Sequence, residues 1–90
     1  MAKKRERLEV IYDILVSIRN NNHKVGPTKL LSASNLSSAM FKDYISELFE
    51  KGFIEELTEK KKRYFVLTKK GYEYLDKYKE IIAFIDNFGL

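Results

Sequence analysis

Apolar residues fall into spaced blocks along the chain, and the repeat within each block names its element. Over residues 3–22, Leu8, Ile11, Leu15 and Ile18 recur at steps of three and four, with Tyr12 and Ile14 widening the stripe. That spacing predicts an amphipathic helix. Asn20-Asn21-Asn22-His23 ends it, because these residue types form helices poorly and tolerate turns. Gly26-Pro27 restarts the chain, since proline suits a helix's first turn, where its missing N–H has no helical partner. A short second helix over 28–33 would turn Leu30 and Leu31 to the core. Ser32 to Asn35 are small or polar, as a tight corner requires, and Leu36 is the one large apolar residue before the third helix.

The third helix is expected over 38–51, with Ser37 as its cap and Leu36 stapled back onto its first turns. Indexed around the helix axis, Phe41, Tyr44, Ile45 and Leu48 gather on one side. Ala39, Asp43, Ser46, Glu47 and Glu50 lie opposite, with Lys42 on the flank. Gly52 then stands where a left-handed residue closes a helix, and Phe53 can fold back on Leu48.

Residues 53–57 and 62–67 are rich in β-branched and aromatic side chains and predict an antiparallel hairpin. The link between them, Thr58 to Lys61, lacks the Asn-Gly or Asp-Gly pair of a two-residue turn. Thr68 can cap a last helix over 69–87, along which two apolar lines run. Gly71, Leu75, Tyr78, Ile82 and Ile85 make one; Tyr74, Tyr78, Ile81, Ile85 and Phe88 make the other. One face suffices for packing within the chain, unless the first helix covers both lines. A second apolar face marks an interface, so a homodimer through Tyr74, Tyr78, Ile81, Ile85 and Phe88 is expected.

Composition narrows the function. Ninety residues make a single domain, divisible into a body of residues 1–68 and a dimerisation helix of residues 69–90. The chain contains no cysteine, which excludes disulfides and thiolate metal sites. No apolar run reaches the roughly 18 residues of a membrane span, and the charged start MAKKRERLEV does not read as a signal peptide. A cytoplasmic protein without a membrane partner is therefore expected. His23, the only histidine, reads as a surface loop residue with no carboxylate or serine set around it. With no glycine-rich phosphate loop, metal spacing or nucleophile–base pair, the sequence predicts no enzyme, no cofactor and no metal.

The net charge of +4 is modest, but its distribution is not even. Lys3, Lys4, Arg5 and Arg7 form one basic cluster, Lys60 to Arg63 a second, and Lys69 with Lys70 a third. Two helices joined by a tight corner over 28–52 have the layout of a helix-turn-helix, whose second helix lies in the DNA major groove. Ser38, Ala39, Lys42 and Ser46 would face that groove. Thr28 and Lys29 at a helix start, and Lys60, Lys61, Lys62 and Arg63 on the hairpin, would hold phosphates. The partner would then be double-stranded DNA and the setting nucleoid-associated. Asp43, Glu47 and Glu50 repel phosphate and support the alternative, a protein–protein interaction module.

Longer motifs carry a resemblance. LFEKGFIEEL, Leu48 to Leu57, resembles the recognition-helix end and first wing strand of winged-helix regulators. YFVLTKKGYEYL, Tyr64 to Leu75, resembles their second wing strand and following helix. NLSSAMFKDYISELFEKGFI after the short KLL helix is similar to an archaeal winged helix-turn-helix family of small basic DNA-binding proteins. The resemblance spans about residues 6 to 85. It implies an α+β, mostly helical fold with a three-helix core, a two-stranded wing and a C-terminal helix that pairs two copies. It also implies a role in transcription regulation or chromatin. The chain departs from that family in having a C-terminal helix of only about 20 residues and no Arg, Asn or Gln between Ser38 and Lys51.

Overall fold

The computed structural model of the protein describes residues 7–89, so Lys3, Lys4 and Arg5 of the first basic cluster lie outside the described residues. Along the chain run α1 (Arg7–Asn20), β1 (Lys24–Val25), α2 (Pro27–Ser34), α3 (Ser38–Glu50), β2 (Ile54–Glu59), β3 (Lys62–Leu67) and α4 (Lys69–Asn87). The winged helix-turn-helix order expected from the sequence is present. A strand, β1, is added to it.

The core is built around α1. Val10, Ile11, Ile14, Leu15 and Ile18 are buried there against Leu30, Leu48, Ile54, Phe65 and Leu75. Each fully buried side chain of this size stabilises the fold by about 1.5–3 kcal/mol. The stripe differs from the expected one at its start, where Leu8 is 55% exposed and Val10 is buried instead. The Leu8 side chain points to solvent, while its carbonyl accepts a hydrogen bond from the Tyr74 hydroxyl at 2.8 Å. At its other end α1 stops at Asn20 rather than continuing to residue 22. The Asn21 amide donates to the Ser17 carbonyl at 2.6 Å, and Asn22 and His23 take left-handed backbone with φ of 62° and 67°.

The corner between α2 and α3 closes through backbone and small side chains. Asn35 adopts the left-handed conformation (φ 61°, ψ 29°) that asparagine tolerates better than most residues. Buried Ser34 donates from its hydroxyl to the Leu31 carbonyl at 2.7 Å and accepts from the Leu36 N–H at 3.3 Å. Ser37 then caps α3, accepting the Met40 N–H at 3.2 Å. At the far end Gly52 has φ +80°, the Phe53 N–H donates to Leu48 at 2.9 Å and the Gly52 N–H to Phe49 at 3.1 Å. These two bonds satisfy carbonyls that the helix would otherwise leave open.

The sheet has the order β1-β3-β2, antiparallel throughout. β2 runs to Glu59, beyond the expected residue 57, and pairs Glu59 with Lys62. Only Lys60 and Lys61 remain in the turn, both with positive φ (48° and 65°). This is a two-residue hairpin turn made without the Asn or Gly that usually favours it. β1 pairs Lys24 with Val66 and Val25 with Phe65, so the hairpin is rooted in the segment between α1 and α2.

α4 begins where the other elements converge. Thr68 accepts the Gly71 N–H at 3.1 Å, and its hydroxyl donates to the Gly52 carbonyl at 2.6 Å, tying the start of α4 to the end of α3. Gly71 lies against the Phe53 carbonyl with no room for a Cβ. Leu75 is buried, Tyr74 is half-buried, and Tyr78 stacks on Tyr12 of α1 with centroids 4.3 Å apart. Beyond this point α4 leaves the body. No helix among the described residues is long and apolar enough to cross a membrane.

Candidate nucleic-acid interface

The exposed strip of α3 follows from its buried one. With Phe41, Ile45 and Leu48 turned inward, Ser38, Ala39, Lys42 and Ser46 are all exposed. Met40 is 49% exposed beside them, a large apolar side chain in the first turn that the helix periodicity did not single out. The second half of α3 is more acidic but partly neutralised. Both carboxylate oxygens of Glu47 accept from the Arg7 guanidinium, one at 2.6 Å, and Lys51 reaches the same carboxylate at 2.9 Å. Asp43 and Glu50 remain exposed on the outward side.

Thr28 and Lys29 are exposed in the first turn of α2. Gly26 caps that helix without a side-chain hydrogen bond, and Pro27 takes its first position. On the hairpin, Lys60, Lys61, Lys62 and Arg63 are all exposed, the first two at the very tip. Strand alternation splits the rest. Lys62 and Tyr64 share one face of β3, whereas Arg63 lies on the other and donates to Glu56 at 2.7 Å.

One cation escaped the sequence reading. Lys24 of β1 reaches across the sheet to Glu59, with Nζ 2.5 Å from the carboxylate and 4.9 Å from the centroid of the Tyr64 ring. The hydrogen bond that Lys24 donates to Glu59 holds the pKa of its ammonium above the ordinary lysine value. Lys24 and Tyr64 border two open hollows. One, of about 620 Å³, is completed by Glu59, Lys60 and Lys62; the other, of about 240 Å³, includes Asn22, Gly26 and Lys29. Nothing in the local sequence signals this role, because the contact exists only once β1 and β2 flank β3.

The residues expected to pair two copies divide into two groups. Tyr74 and Tyr78 are engaged within the chain, through the Leu8 carbonyl and the Tyr12 ring. Burial pushes the Tyr74 hydroxyl pKa up, with a further push from Tyr78. Ile81 (55%) and Phe88 (66%) are exposed and Ile85 is half-buried. Ile82 and Phe84 extend the same surface, with Phe84 stacked on Phe88 at 4.6 Å. His23 is exposed as expected, and its Nδ1 lies 2.6 Å from the Tyr72 hydroxyl. Among the described residues no group of His, Asp or Glu is arranged to hold a metal ion.

Residues 4–86 match the family described as winged helix-turn-helix. An uncharacterised protein of Methanocaldococcus jannaschii is 33% identical over 82 residues, which are 91% of this chain but only 36% of that protein's length. Among solved structures the chain is similar to Sso10a-2, a DNA-binding protein from Sulfolobus solfataricus, at 25% identity and a TM-score of 0.74. That likeness covers 93% of this chain and 85% of the other. F93 from STIV, described as a winged-helix DNA-binding protein, shares the fold at 20% identity and a TM-score of 0.73, covering 88% of this chain and 91% of its own.

Proposed function

Because the chain belongs to the winged helix-turn-helix family, we propose that it binds double-stranded DNA as a homodimer, acting in transcription regulation or as a nucleoid-associated, chromatin-type protein. One observation carries the reading: an outward α3 strip of small side chains with one lysine, Lys42, stands on the same core as a hairpin tipped by consecutive lysines. The DNA-binding description of Sso10a-2, similar over nearly the whole chain, supports it.

The mechanism is non-covalent. α3 enters the major groove by its N-terminal part, presenting Ser38, Ala39 and Lys42, with Ser46 further along the same outward side. Serine can bond several bases and alanine can touch a thymine methyl, so discrimination between sequences is modest. Lys60 to Arg63, together with Thr28 and Lys29, contact phosphates, which set register rather than sequence. Pairing of Glu47 with Arg7 and Lys51 removes much of the repulsion that its carboxylate would exert on DNA, and with it part of the support for a protein-interaction module.

The exposed Ile81, Ile82, Phe84 and Phe88 supply an apolar surface for the second copy, and Ile85 adds to it. Sedimentation of the wild type should give a dimer, and Phe84→Asp a monomer with weaker DNA binding. A wild type that stays monomeric at high concentration refutes the pairing. Titration of specific and scrambled duplexes over a salt series tests the rest. A dimer neutralising about six phosphates should give a log–log salt slope near −5, and a flat response sinks the phosphate reading. Alanine at Lys60 to Arg63 should weaken binding to all sequences alike.

A further inference from the structure

We propose that Lys24 is a phosphate-contacting residue joining the start of α2 to the wing, and that Glu59 occupies its ammonium until a DNA phosphate displaces the carboxylate. This rests on the DNA-binding reading above and adds to it a residue and an internal competitor.

Register puts the pair in place. Lys24 lies opposite Val66, and Glu59 opposite Lys62, so by strand alternation both share the β3 face that carries Tyr64. The Lys24 side chain crosses that face diagonally, over the Tyr64 ring, to reach Glu59. It therefore stands where the two hollows meet, one reaching Lys29 and the other Lys60 and Lys62. Without Lys24 the cations of the α2 start and of the wing are separate. With it they form a continuous basic track interrupted by one carboxylate, Glu59.

The chemistry selects a phosphate backbone as occupant. Lys24 covers the Tyr64 ring, which leaves that ring unsuited to stacking a base. Four lysines against one glutamate complement an anion. The Lys24 and Glu59 side chains are 41% and 48% exposed, and an exposed ion pair of this kind is weak, so exchange of carboxylate for phosphate meets little resistance. Lysine is suited to such exchange, being a compact charge on a flexible stem.

Fluorescence anisotropy of a labelled duplex across a potassium chloride series tests this with Lys24→Gln, Lys24→Arg, Glu59→Gln and the double variant Lys24→Gln/Glu59→Gln, each first checked by thermal melting. Lys24→Gln should weaken binding to every sequence and reduce the salt slope by about one per protomer, whereas Lys24→Arg should keep the slope. Glu59→Gln should tighten binding severalfold, and most of that gain should vanish in the Lys24→Gln background. An unchanged slope in Lys24→Gln overturns the inference, as does a Glu59→Gln gain of equal size in both backgrounds, which would mark bulk charge alone. If alanine at Lys60 to Arg63 weakens binding while Lys24→Gln does not, DNA binding stands and the role of Lys24 falls. A wild type without salt-dependent duplex binding overturns both.

Discussion

Alanine at Gly71 should destabilise the fold, although the same change in an ordinary helix interior stabilises by about 1 kcal/mol. Gly71 is buried in the first turn of α4, where an added Cβ would run into the Phe53 carbonyl and stand 3.3 Å from Leu67 Cδ2. The carbonyl cannot easily retreat. It accepts the Thr68 N–H at 3.1 Å, and the Phe53 N–H is held by Leu48 at 2.9 Å in the closure of α3. Forcing an extra methyl into such a site costs about 1–3 kcal/mol, and loosening the Thr68 bond adds about 1 kcal/mol. Set against the propensity gain, the net loss is about 1–3 kcal/mol. For a chain of this size that lowers Tm by about 5–20 °C. Melts followed by circular dichroism at one fixed protein concentration measure it, since dimerisation would make Tm concentration-dependent. Gly52→Ala is the internal comparison: its Cβ meets nothing within 4 Å, and only the φ of +80° opposes it, at about 1 kcal/mol. A Tm for Gly71→Ala at or above that of the wild type would refute the close approach on which this reasoning depends.

Other expectations separate stability from binding. Lys60→Asn with Lys61→Gly gives the turn residues suited to the two positive φ angles there, and should stabilise by about 1–2 kcal/mol while weakening DNA binding through two lost cations. Melting temperature and affinity moving in the same direction would contradict it. Alkaline stability should depend on Tyr74, whose burial raises its pKa above 10.0. Between that value and the raised one, the folded chain keeps a proton that the unfolded chain releases, so stability is intact below the window and falls as pH rises through it. Lys24, also raised, acts in the same direction. The measurement is therefore the difference in urea midpoints between wild type and Tyr74→Phe, which should narrow as pH climbs from about 9 to 11; a constant difference would count against the assignment.

Local rules made much of this fold legible. Ser37, Gly52 and Thr68 each act through a cap that spans six residues or fewer, and each stands where the sequence placed it. The buried faces of α3 and α1 followed from spacing, apart from the first turns of α1, where Leu8 is exposed and Val10, not part of the expected stripe, is buried. Two features were not legible. β1 is two residues long, too short to show any alternation, and its pairing with β3 spans some forty residues. The tight lysine turn hid behind residue types that rarely take positive φ. At the interface, helix spacing sorted the outward side of α3, but the tie between Lys24 and Glu59 needs a completed sheet before it exists.

The first half of α4 is fixed to the Phe53 carbonyl and to α1, while its second half carries the apolar surface. Between Gly71 and Gly89 there is neither glycine nor proline to act as a joint. α4 is thus a rigid arm clamped at one end. In a pair of copies joined by these arms, the distance between the two α3 helices is set by the geometry of the joint and not by flexing of either body. The spacing of DNA half-sites would then be a ruler built into the dimer, read most directly by moving two half-sites apart one base pair at a time.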